Sequence, residues 1–123
     1  MAMADVKVRM ATYRGDLLLT WRENEIHVDG RLSMQKERDD LQTLAEKHGL
    51  AIEGDLAGHA TLVGKRERLE TALLELIGRK IGAAGYAVYS VNRKGEGRVL
   101  YSKRDLDLAD TKEVATVPRT VGG

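Results

Sequence analysis

The chain reads as an α+β domain, an antiparallel sheet with two helices packed on one face. Three observations predict it. Polarity alternates with a period of two over residues 6–13, apolar residues recur every three and four positions over residues 65–81, and Gly, Asp and Asn punctuate the segments between. The expected order is three strands, a helix, two short strands, a second helix and two further strands.

Val6, Val8 and Met10 alternate with Lys7 and Arg9, the pattern of a half-buried first strand. Arg14-Gly15-Asp16 turns the chain into Leu17 to Arg22, and Glu23-Asn24 turns it again into Glu25 to Val28. These three strands form a meander. Ser33 is placed to cap a helix from Met34 to His48, with Leu41, Leu44 and Ala45 on one side and Gly49 in the left-handed position after its end. Glycines at 54, 58 and 64 weaken the pattern that follows, allowing short strands near Ala51 to Glu53 and Ala60 to Val63.

The clearest helix spans Lys65 to Ile81, where Leu69, Ala72, Leu73, Leu76, Ile77 and Ile81 make a broad apolar stripe. Gly82 and Gly85 end it. Tyr86 to Asn92 and Arg98 to Lys103 then form a hairpin, with Gly95-Glu96 as a two-residue turn that needs Gly first. That turn places Tyr101 opposite Ser90 and Tyr89 opposite Ser102, with Tyr89 on the face away from Tyr86 and Tyr101. A ferredoxin-like arrangement of the second half is compatible with this order. Residues 1–108 are expected to form a single domain and residues 109–123 a flexible C-terminal tail.

At 123 residues the chain can bury a core without disulfides or metals. Phe is absent and Trp21 is the only tryptophan, so the core is built from Leu, Val, Ile and Ala. The absence of cysteine removes disulfides, thiolate zinc ligands and a thiol nucleophile, and fits a reducing cytoplasm. No apolar run has the length of a signal peptide core or a membrane span, so a cytoplasmic protein without membrane contact is expected.

Charge is segregated. Residues 1–60 carry 8 Lys/Arg against 11 Asp/Glu, residues 61–104 carry 10 against 4, and residues 105–123 carry 2 against 4. A basic centre between acidic flanks predicts a positive face that attracts phosphates or acidic protein surfaces by its summed field. Lys65, Arg66 and Arg68 stand at the start of the second helix, where cations oppose the helix dipole and an anion would reverse the penalty. The alternative is that Glu67 and Glu70 offset them in a solvated patch. Arg93, Lys94 and Arg98 surround the hairpin turn, as in basic ribbons that follow a nucleic-acid backbone. Tyr89 and Tyr101 could stack on bases or anchor an interface, as could Trp21, although core packing is the commoner role of a strand aromatic.

Several chemistries find no support. Gly58 to Lys65 resembles a phosphate-binding P-loop, but five residues instead of four separate the glycines and Arg66 stands where a magnesium-binding hydroxyl is required. His27, His48 and His59 lack metal-ligand spacing, and Asp39-Asp40 lies on a polar helix face. No catalytic residue, metal or cofactor is expected.

The leading expectation is a non-enzymatic protein that binds nucleic acid through Lys65, Arg66, Arg68, Arg93, Lys94 and Arg98. The alternatives are a protein-interaction module such as a phage- or plasmid-type inhibitor or adaptor docking on an acidic surface, and a pocket for a small phosphorylated ligand. Outer strands that pair between subunits would make a homodimer. The terminal Gly122-Gly123 resembles the end of ubiquitin-like modifiers and sulfur carriers, a likeness of a few residues that implies activation by an adenylating enzyme.

Overall fold

A computed structural model describes residues 5–12, 15–30, 35–56, 58–81 and 85–118. The elements run β1 (Val6–Thr12), β2 (Gly15–Arg22), β3 (Glu25–Gly30), α1 (Gln35–Lys47), β4 (Ala51–Gly54), β5 (His59–Val63), α2 (Arg66–Ile81), β6 (Tyr86–Asn92), β7 (Gly97–Val99), a short 3-10 turn (Lys103–Asp105) and β8 (Thr111–Pro118). The fold is α+β in the anticipated order, with one strand more. All eight strands join one sheet, ordered β4-β5-β3-β2-β1-β8-β6-β7. Among the described residues only the β1–β8 pair is parallel.

The alternation in β1 is the seed of the core. Val8 lies beside Leu19 of β2 and Val114 of β8, and Leu19 beside Val28 of β3, so one row of apolar side chains crosses the sheet on a single face. The helical stripes cover this face: Leu41, Leu44 and Ala45 of α1 and Leu69, Ala72, Leu73, Leu76 and Ile77 of α2 are all buried in the same cluster. α1 ends as its sequence implies. Gly49 adopts φ +68° and donates to the Glu46 carbonyl (3.2 Å), while Leu50 N–H reaches the Ala45 carbonyl (2.8 Å), the paired bonds of a Schellman motif. Ser33, Gly82 and residues 13–14 of the first turn lie outside the described residues.

Three expectations are corrected. Residues 111–118 are not a tail but β8, wedged between β1 and β6 with Val114 fully buried. The second half is not a ferredoxin-like unit, because β4–β5 and β6–β7 lie at opposite edges of the sheet. The last hairpin turns through Arg93, Lys94 and Gly95, with Gly third. Asn92 N–H donates to the Glu96 carbonyl (2.9 Å), Gly95 takes φ +89°, and Asn92 Oδ1 accepts the amides of Lys94 and Glu96. Tyr89 therefore pairs with Val99 and Ser90 with Arg98. Among the described residues no helix is long and apolar enough to cross a membrane.

Candidate functional site

The cations at the start of α2 are exposed, as their positions in its first turns require: Lys65 immediately precedes the helix, Arg66 begins it, and the buried stripe starts only at Leu69. Gly64 is held by the Asn24 carbonyl at the β2–β3 turn (3.3 Å), which fixes where the helix begins. The Arg68 guanidinium lies directly against Gly49, so a first-turn cation of α2 covers the C-terminal end of α1, the negative end of that helix dipole.

The hairpin cations divide by role. Arg93 Nη1 donates to the Asp5 carbonyl (2.9 Å) and Arg93 N–H to the Asp110 carbonyl (2.9 Å), which ties the hairpin loop to the start of β1 and to the chain entering β8. Arg98 reaches the Asp105 carbonyl and sits 3.8 Å from its carboxylate. Lys94, at the loop tip, is exposed. Of the aromatic candidates, Trp21 is 1 % exposed and its indole N–H donates to the Glu23 carbonyl (3.1 Å), so it is a core residue and no surface anchor. Tyr89 and Tyr101 are the exposed pair, at 41 % and 81 %. Tyr86 packs beneath the Lys80 ammonium, 4.6 Å from the ring centre, and is committed to the α2–β6 contact.

The sheet register brings the two basic groups to one end of the molecule. Val63, the last residue of β5, pairs with Glu25, Glu25 with Arg22, and on the far side Asn92 pairs with Thr111 as β8 begins beside β1. The chain segments leading to Lys65 and to Lys94 therefore leave the sheet at the same end. They are separated by five strand spacings, about 24 Å at about 4.8 Å each. Arg22 stands between them, paired with Asp5 at 2.9 Å. The geometry is a discontinuous cationic rim, not one compact patch.

The sheet face away from the helices carries residues that charge counting missed. Its middle holds ion pairs such as Arg9–Glu113 (2.8 Å), and its β3–β5 side holds His27 beside Glu25 (3.1 Å) and His59 beside Asp29 (3.1 Å). Its β8–β6–β7 side is apolar: Ala115 lies beside Tyr89, Tyr89 beside Val99, and Val117 beside Ala87. Among the described residues no group of three or more His, Asp or Glu side chains could hold a metal ion. Gly122 and Gly123 lie outside the described residues. Comparison of the chain with protein-family models, with curated proteins and with solved structures finds no match.

Proposed function

We propose that the chain is a non-enzymatic nucleic-acid-binding protein whose contact surface is the cationic rim at one end of the sheet. The observation that carries this reading is the register that puts the α2 start and the tip of the β6–β7 loop at that common end. Lys65, Arg66, Arg68 and Lys94 are exposed there and supply phosphate contacts. Arg93 and Arg98 hold the hairpin in shape and contribute only through the field.

Binding of this kind neutralises phosphates and carries little base information. Four contacts predict a slope of log K against log salt of about −3.6 on duplex DNA and about −2.8 on a single strand. Fluorescence-anisotropy titration with labelled single-stranded RNA, single-stranded DNA and duplex DNA at two salt concentrations tests it. Lys65→Ala/Arg66→Ala/Lys94→Ala is expected to weaken binding uniformly across sequences and to flatten the salt slope. Absence of binding at low salt, or binding indifferent to these substitutions, overturns the reading.

The half-exposed apolar side of the uncovered sheet face favours a second reading, an interaction module for a protein partner with Tyr89 as anchor. Under it, Tyr89→Asp abolishes capture of the partner and leaves nucleic-acid titrations unchanged.

A further inference from the structure

Beneath the C-terminal hairpin is a cavity of about 360 Å³, within the range of small-ligand sites. Its floor is β6 and the start of β8, where Ser90 and Thr111 are buried at 8 % and 4 % exposure. One wall is the hairpin, with Glu96 and Arg98, and the other is the segment before β8, with Asp105, Asp107 and Asp110. Four carboxylates thus face one guanidinium.

The four are not equally committed. Asp105 Oδ2 accepts the amides of Tyr101 (3.2 Å) and Ser102 (3.1 Å), capping the short 3-10 turn. Asp107 Oδ1 accepts the Ala109 amide (3.0 Å), and Glu96 Oε1 accepts from the Asn92 side chain (3.2 Å). Each of these two keeps its second oxygen. The Asp110 carboxylate has no partner among the described residues.

The floor makes the cluster more than a solvated acidic loop. Thr111 satisfies its hydroxyl on the Asp107 carbonyl (2.5 Å), whereas the Ser90 hydroxyl has no hydrogen-bond partner among the described residues. Ser90 alternates with Val88 onto the helix side of β6 and lines the cavity, so its hydroxyl faces the space that the carboxylates surround. The residue is buried but its hydroxyl is not sealed in, so the hydroxyl bonds to whatever fills the cavity. An apolar residue in that place would have fitted a closed core.

We infer that this cavity binds a small aliphatic diamine or polyamine. Acid on two opposed walls suits a molecule with a cation at each end, and the Ser90 hydroxyl can accept an ammonium N–H. A lone metal ion fits less well, because the carboxylates do not converge to a coordinating group. The site uses none of Lys65, Arg66, Arg68 or Lys94 and is independent of nucleic-acid binding.

The test is an amide-resolved NMR titration of the full chain with butane-1,4-diamine, with butylamine and magnesium chloride as parallel titrations. Saturable shifts confined to Ser90, Asn92, Glu96 and residues 105–111 are expected, with butylamine weaker by at least about tenfold because one charge pair is lost. Asp110→Asn and Ser90→Ala, each keeping the dispersed spectrum of the folded chain, should each weaken the diamine. Three results overturn the inference: no shifts, shifts scattered over the acidic surface, or equal shifts with magnesium. Should Asp110→Asn disturb the fold, Glu96→Gln on the opposite wall provides the same test.

Discussion

Arg93 and Asp5 lie 88 positions apart in sequence, yet the Arg93 guanidinium donates to the Asp5 carbonyl at 2.9 Å in a half-buried setting. The contact fastens the last hairpin to the first strand across the β1–β8–β6 seam. A charged donor on a partly buried carbonyl contributes about 1.5–3 kcal/mol. Arg93→Ala is therefore expected to lower the urea midpoint by a comparable stability loss. Lys94→Ala, one residue on and exposed, should stay within about 0.5 kcal/mol of the parent chain. Equal urea midpoints for the two variants would remove Arg93 from the frame of the fold and return it to the binding surface.

The last strand is the second test of how the fold closes. β8 pairs in parallel with β1 and antiparallel with β6, so without it β6–β7 has no connection to the rest of the sheet. Val114 is fully buried there. Val114→Asp places an unpaired charge in that core and is expected to cost at least about 3 kcal/mol, losing the cooperative thermal transition at moderate temperature. Truncation after Asp110 should abolish folding. A folded truncated chain would mean that residues 111–118 are an appendage.

These two regions show what the sequence made legible and what it hid. β1, α1 and α2 were readable because one amphipathic period ran through each: Val6-Val8-Met10, then Leu41-Leu44-Ala45, then Leu69 to Ile77. β8 was hidden because its core side is Thr111, Val114 and Thr116, two hydroxyls around one valine, and Ala115 blurs the alternation. The burial of Trp21 was equally hidden, since strand alternation shows two faces without showing which one the helices cover. The candidate site was visible as charge alone. Lys65 and Lys94 were found by composition, but the contact of Arg93 with Asp5 spans 88 positions, and that of Arg98 with Asp105, only seven positions on, needs the 3-10 turn that no periodic pattern announces.

Gly49 and Gly58 make a matched pair for the backbone argument. Gly49 holds φ +68° with the Arg68 guanidinium packed against it, whereas Gly58 has open space where a side chain would stand and no left-handed backbone. Gly49→Ala should destabilise the chain by about 1–2 kcal/mol from the left-handed penalty alone, more once Arg68 is displaced. Gly58→Ala should be neutral or stabilising by up to about 1 kcal/mol, because it restricts the unfolded chain. Thermal melts place Gly49→Ala below the parent chain and Gly58→Ala at or above it if the C-terminus of α1 is built as described.

Glu75 joins the two helices and sets an acid limit. Its Oε1 accepts from Lys47 at the end of α1 (2.6 Å), His48 Nε2 stands 3.5 Å away, and its Oε2 accepts from Arg79 one turn on in α2 (2.8 Å). The hydrogen bond from Lys47 is the main cause holding the Glu75 carboxyl below its ordinary value of 4.5, assisted by the charges of Lys47, Arg79 and His48 and opposed by partial burial. A carboxyl whose folded value is depressed stabilises the fold above its unfolded value, and that contribution is lost as pH falls through the folded value. The stability difference between the parent chain and Glu75→Gln should accordingly stay level from neutral pH down to about pH 5, then shrink as acid is added. Urea denaturation at stepped pH measures it. Because Lys47 and Arg79 stay charged over that whole range, a difference that failed to shrink below about pH 5 would remove the Glu75 carboxylate from the acid limit of the fold.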